Sequence, residues 1–350
     1  MIDRERLLAP LPGDHPTGPD LRAIAGDGSL REIEDFRREE DPALDPDGRG
    51  KEADWPAVAR VCQKVLGEKS KDLQVAAHLT EALARTQGFA GVLDGFAVVR
   101  GLLDRYWADL HPGVDEGQVI PALRARWISW LGSSRDFLAA VKSIPLTSGP
   151  GVPARSWRNY EDAQRVDSAA MQTDKKAYEE MIKSGLIPVS EWKAAVAATP
   201  TERLRAVVDA IAACEEEVRL LTAFCDERFV EDAPNLVELS NLLGECRDHL
   251  GARLQGTAEV EASEGPADAA AGAPGGGSRG SGPIASRDDA FRRLREAADF
   301  LRRTEPHSPV PYLVDRAVSW GEMPFRDVLR DVLKDEKAFK NILETLGMSD

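Results

Sequence analysis

Apolar residues in this chain return at three- and four-residue intervals almost throughout, and no segment alternates convincingly with the period of a strand. That periodicity restricts the chain to helices that bury a stripe against other helices, so the expected fold is all-α. SLREIEDFRREE (29–40) puts Leu30, Ile33 and Phe36 on one face, with Ser29 as its N-cap. Asp54 is expected to cap WPAVARVCQKVL, with Pro56 tolerated in the first turn. The next helix, from Ser70 as cap to Gly88 as stop, carries Leu73, Ala76, Ala77, Leu79, Ala82 and Leu83. That stripe is too broad for a lone surface helix. Helical patterns then run from Phe89 towards Pro112 and over PALRARWISWLG, and Trp55, Trp107, Trp127 and Trp130 are expected as core anchors.

Prolines and glycines in IPLTSGPGVPARSW break the pattern and mark a boundary. Helices follow over TDKKAYEEMIKSG, capped by Thr173, over SEWKAAVAA, and over a long TERLRAVVDAIAACEEEVRLLTAFCDERF that pairs with PNLVELSNLLGECRDHLGARL as a hairpin. Trp157 and Trp192 fall in or near loops and are weak interface candidates. Between Gln255 and Ile284 alanine, glycine, serine, proline and acids dominate without an aromatic, the composition of a flexible linker. The expected layout is an N-terminal helical domain (1–145), a middle helical domain (155–254), the linker (255–284) and a C-terminal helical module (285–350).

The C-terminal module is punctuated by proline. Ser286 is expected to cap a helix with Phe291, Leu294, Ala298 and Leu301 on one face and Arg292, Arg295, Arg302 and Arg303 beside it. Pro306 ends that helix; Ser308 caps the next, with Pro309 and Pro311 in its first turn, and Gly321 stops it. Further helices are expected from Pro324 and over KAFKNILETLG. A core this small gives only about 3–5 kcal/mol, so either all this apolar surface fills one small monomeric core or part of it faces other copies. The interface residues expected are Tyr312, Leu313, Trp320 and Phe325, with Arg302 and Arg303.

Signals for chemistry are sparse. His15, His78, His111, His249 and His307 are scattered; His78 reads as a satisfied packing histidine, and His111 and His307 lie beside prolines at helix boundaries. Motifs for zinc hydrolysis or a Walker-type phosphate loop do not occur. The glycines of GGGSRGSG follow no strand, and Glu39–Glu40 and Glu215–Glu216–Glu217 read as solvated helix faces. No catalytic residue, metal or cofactor is expected, and the chain reads as a non-enzyme. Cys62, Cys214, Cys225 and Cys246 form no CxxC pair and read as buried reduced thiols, which points to the cytoplasm together with the lack of a signal peptide or membrane span. A formal net charge of −15 argues against nucleic acid and anionic lipid as partners.

Three stretches, PLPGDHPTGPDLR (10–22), DWPAVARVCQKVL (54–66) and SKDLQVAAHLTEALARTQGFAGVLDGFAVVRGLLDRYWADLHP (70–112), make the N-terminal block similar to the ImpA-type domain of TssA proteins of type VI secretion systems. EPHSPVPYLVDRAVSWGEMPFRDVLRDVL (305–333) resembles the C-terminal segment of the same family. The resemblance implies a cytoplasmic, non-enzymatic assembly component. It would form a large ring-like homo-oligomer through its C-terminal module, contact baseplate, sheath and inner-tube proteins, and coordinate their assembly. The alternative is a helical adaptor or regulatory scaffold outside secretion.

Overall fold

The computed structural model describes residues 2–40, 50–115, 118–168, 175–229, 233–263, 287–304 and 309–323, with Val328 and Arg330. The chain divides into two units, Met1–Ala267 and Asp268–Asp350. Its regular elements among the described residues are helices, apart from a short antiparallel ribbon, β1 (Val114–Asp115) and β2 (Gln118–Val119), in which Val114 faces Val119.

Helix starts in the first unit follow capping chemistry. The Asp54 carboxylate accepts the Ala57 N–H at 2.8 Å and starts α3 (Trp55–Glu68) with Pro56 in the first turn, as expected. Two caps differ from expectation. Ser29 is the first residue of α2 (Ser29–Arg37), after Gly28, and its N–H is taken by Asp27 at 2.8 Å. Asp72, not Ser70, caps α4 (Leu73–Gln87), because its carboxylate accepts the Gln74 and Val75 N–H groups. Ser70 is buried instead, its hydroxyl donating to Pro19 O. Gly88 ends α4 at φ +64°, with its N–H on Ala84 O.

The helix α5 (Phe89–Tyr106) folds back on α4 with little space between them. A Cβ on Gly91 would lie 2.1 Å from Leu83 O, and one on Gly95 2.6 Å from the Thr80 side chain. This close hairpin is the centre of the core. Short α1 (Arg4–Leu8) and α3 pack on it, as do α6 (Pro121–Ser133) and α7 (Arg135–Lys142), the last outside the sequence expectations.

After the Pro145–Arg155 loop come α8 (Trp157–Val166), α9 (Lys175–Lys183), α10 (Val189–Ala198), α11 (Thr201–Arg228) and α12 (Val237–Ser263). Ser156 and Asn159 close a capping box at the start of α8. Trp157 and Trp192 are therefore helical and buried, contrary to their reading as loop aromatics, and the Trp192 indole donates to Ser156 O at 3.1 Å. They stack with Tyr160 at ring distances of 4.9 and 4.6 Å. The helices α11 and α12 pair as the expected hairpin, and α11 also crosses α5. There Arg100 grips Glu217 through two hydrogen bonds, so Glu217 is a buried partner and not a solvated acid. One buried cluster runs from Leu7 to Leu250 through both helical blocks. The helix α12 continues to Ser263, into the stretch read as linker; 264–286 lie outside the described residues, as does Thr173.

In the second unit α13 (Arg287–Thr304) packs on α14 (Val310–Glu322). Ala298 and Val318 are buried between them. Gly321 lies inside α14 and does not stop it; an added Cβ there would lie 2.1 Å from the Phe291 ring, so the glycine makes room for that side chain. Pro309 takes the N-cap position expected of Ser308. Ser286, Pro306, His307, Ser308 and the segment expected to hold the last helices, apart from Val328 and Arg330, lie outside the described residues.

Candidate functional site

The residues that carry the N-terminal resemblance converge on one place. Gly18 turns the chain at φ +67°, and a Cβ on it would lie 2.2 Å from Lys69 O, so no other residue fits this approach. The Lys71 N–H then bonds Thr17 O at 2.8 Å, the His111 N–H bonds Lys71 O, and the Leu73 N–H bonds His111 O. His111 Nε2 lies 2.9 Å from Gly18 O. The Arg22 guanidinium reaches Asp72 at 2.6 Å, Gln74 at 2.5 Å and Asp20 at 3.0 Å. Segments 10–22, 69–75 and 107–112 thereby form a clasp around the start of α4 and the end of α5.

Two cations are buried in and beside the clasp. Lys71 Nζ donates to Leu7 O and Leu66 O, each at 2.7 Å, at the C-terminal ends of α1 and α3. Burial pushes its ammonium down to about 8. Arg124 donates to Trp107 O, to Leu110 O at 2.5 Å and to Pro112 O at 3.2 Å, satisfying carbonyls beyond the end of α5. Its guanidinium lies 5.0 Å from the Trp107 ring centre, and burial lowers it to about 10. Both are architectural, holding helix ends that would otherwise bury bare carbonyls.

The other candidates for chemistry are structural too. His78 is packed edge-on between Trp127 and Trp130, each ring 5.4 Å away. Its Nε2 lies 3.1 Å from Glu34 Oε1. Burial pushes its pKa down and keeps the ring neutral. All four cysteines are buried free thiols. Burial raises Cys214, Cys225 and Cys246 to about 12 and Cys62 further, which leaves no thiolate for reaction. Among the described residues no group of histidine, cysteine and carboxylates could hold a metal ion, and no helix is long and apolar enough to cross a membrane.

The second unit presents the surface on which the interface was expected. Tyr312 and Leu313 are 64% and 63% exposed, a large apolar area to leave in water. Trp320 is half-buried under the Arg316 guanidinium, 5.1 Å from its ring centre. Leu313, Arg316 and Trp320, spaced i, i+3, i+7, share one face of α14. Arg302 pairs with Asp299 at 2.6 Å within α13 and with Asp315 on α14, so it links the two helices, whereas Arg303 donates to Asp299 O of its own helix. Phe325 lies outside the described residues. Phe300 and Val310, absent from the expected interface, are also exposed. For Phe300 the signal was its position off the 291–294–298–301 stripe.

Similarity to known proteins follows the same division. A family profile described as the ImpA N-terminal domain of the type VI secretion system matches residues 8–133, the stretch that holds the clasp. The type VI secretion system component TssA1 of Pseudomonas aeruginosa is 28% identical over 358 residues, 96% of each chain. A solved structure, the N-terminal domain with the ImpA region of the TssA component from Burkholderia cenocepacia, superposes with a TM-score of 0.62 at 25% identity. It covers 73% of this chain and 95% of its own. The clasp thus lies within the residues that match the ImpA N-terminal domain, and the similarity to a TssA component of the type VI secretion system runs over nearly the full length of both chains.

Proposed function

We propose that the protein is a non-enzymatic assembly scaffold of the type VI secretion system that works in the cytoplasm as a large ring-like homo-oligomer. The C-terminal module (285–350) forms the ring. The N-terminal (1–145) and middle (155–254) helical domains, held by the 255–284 linker, contact baseplate, sheath and inner-tube proteins and coordinate their assembly. Repetition around a ring turns weak single contacts into avid ones.

The observation that carries this reading is the apolar surface of α14. Tyr312 and Leu313 stand almost two-thirds exposed on a hairpin with little core of its own, in a chain similar to TssA1 along its whole length. Light scattering of the full-length protein after gel filtration is expected to give one discrete mass of many chains. Leu313→Asp, with its charge on that face, is expected to cut that mass to small species while helical content stays the same. A monomeric wild type, or an unchanged mass in Leu313→Asp, removes the ring from the proposal.

A further inference from the structure

Between α2 and α3 lies an open groove of roughly 510 Å³ that no expectation from sequence included. Val61, half-buried, gives it an apolar floor beside the buried Val65. Four cations, Arg6, Arg60, Lys64 and Lys69, stand around it against three carboxylates, Glu32 and Glu68 in its lining and Asp27 bonded to Lys69. This excess of positive charge occurs in a chain whose formal net charge is −15. Two of the cations are held in place: Arg6 pairs with Glu68 at 2.6 Å, and Lys69 bonds Asp27 at 3.2 Å and the Ser29 hydroxyl at 2.9 Å. Arg60 and Lys64, one turn apart on α3, are exposed and make no ion pair among the described residues.

We propose that this groove binds an extended acidic peptide segment of another protein, with an apolar side chain on Val61 and carboxylates on Arg60 and Lys64. Charge complementarity carries the assignment. Arginine and lysine stems cover apolar surface while their heads stay in water, so the rim is suited to a peptide that alternates acidic and apolar groups. The acids elsewhere on the molecule do not forbid it, because at physiological salt charge is screened beyond about 8 Å. Contacts at such short range give modest affinity, a strong dependence on salt and selection for acidic partners.

The test uses full-length protein and a fluorescein-labelled peptide of four Glu-Glu-Leu repeats, followed by fluorescence anisotropy in 50 and 200 mM salt. Saturable binding that weakens at the higher salt, and that falls at least tenfold in Arg60→Glu/Lys64→Glu, is the expected result. The milder Arg60→Ala/Lys64→Ala pair should lose less, and Lys176→Glu, an exposed change on α9, should lose nothing. Absence of saturation below millimolar peptide overturns the proposal, as does an equal loss in Lys176→Glu. An unlabelled peptide of residues 257–268 of this chain is the competitor: displacement as strong as by the unlabelled probe would assign the groove to the protein's own acidic segment and overturn an external partner.

Discussion

Lys71 is a cation with no carboxylate beside it, and its two acceptors are backbone carbonyls at the ends of α1 and α3. A neutral amine has two N–H donors, matched to two carbonyls, whereas the ammonium has a third. The unfolded chain titrates this group near 10.5 and the folded one near 8. Below about 8 both states hold the proton; between about 8 and 10.5 the unfolded state holds more, so this group's contribution to stability rises with pH across that window. The rise is roughly 2–3 kcal/mol. Urea unfolding at pH 8 and pH 10 should show the difference between wild type and Lys71→Met changing by about that amount, while a constant difference would refute the assignment. At Gly18 the constraint is steric. Gly18→Ala puts a Cβ against Lys69 O at a positive φ and is expected to cost roughly 2–3 kcal/mol, read as a lower denaturation midpoint with an unchanged slope.

Among the elements, the two helical hairpins achieve contact differently. Glycines on α5 bring it against α4 so closely that backbone meets side chain, whereas in α13–α14 one glycine, Gly321, admits the ring of Phe291. Phe291→Ala leaves a void beside Gly321 in a small core, with an expected cost of about 1–3 kcal/mol. Hydrogen exchange should then speed up across 287–322 and stay unchanged in α4 and α5; unaltered protection in α14 would mean that Phe291 does not hold the hairpin. Local signals made most of these elements readable. Asp54 before a proline-started helix and Gly88 after a periodic one act within a single turn, so they need no tertiary knowledge. Ser70 was misread because Asp72 competes for the same N–H groups and a distant segment, Pro19, takes the serine hydroxyl.

At the scale of the whole molecule, both proposals concern surfaces, while the described interior holds packed cations, a buried histidine and buried thiols. The α14 face and the α2–α3 groove make separable predictions. Leu313→Asp should change assembly mass without changing acidic-peptide binding per chain, and Arg60→Glu/Lys64→Glu should do the reverse. Coupled loss in either variant would mean that the two surfaces do not act independently.

Helical period, cap residues and turn glycines act over one or two turns, and they determined from sequence alone that this protein is all-α and where most helices run. The ordered stretches at 10–22, 54–66 and 70–112 also carried the resemblance to ImpA-type domains, and they hold Gly18, Arg22, Lys71, Asp72 and His111 of the clasp. Which charges are buried only the tertiary structure decided. Lys71, Arg124 and Glu217 look like surface residues in any window of sequence, and their burial follows from carbonyls and an arginine brought close by distant segments. The same holds for the apolar residues left outside. Tyr312 and Phe300 are as hydrophobic as their buried neighbours, and only the packing of α13 on α14 selects Ala298 and Val318 for the interior.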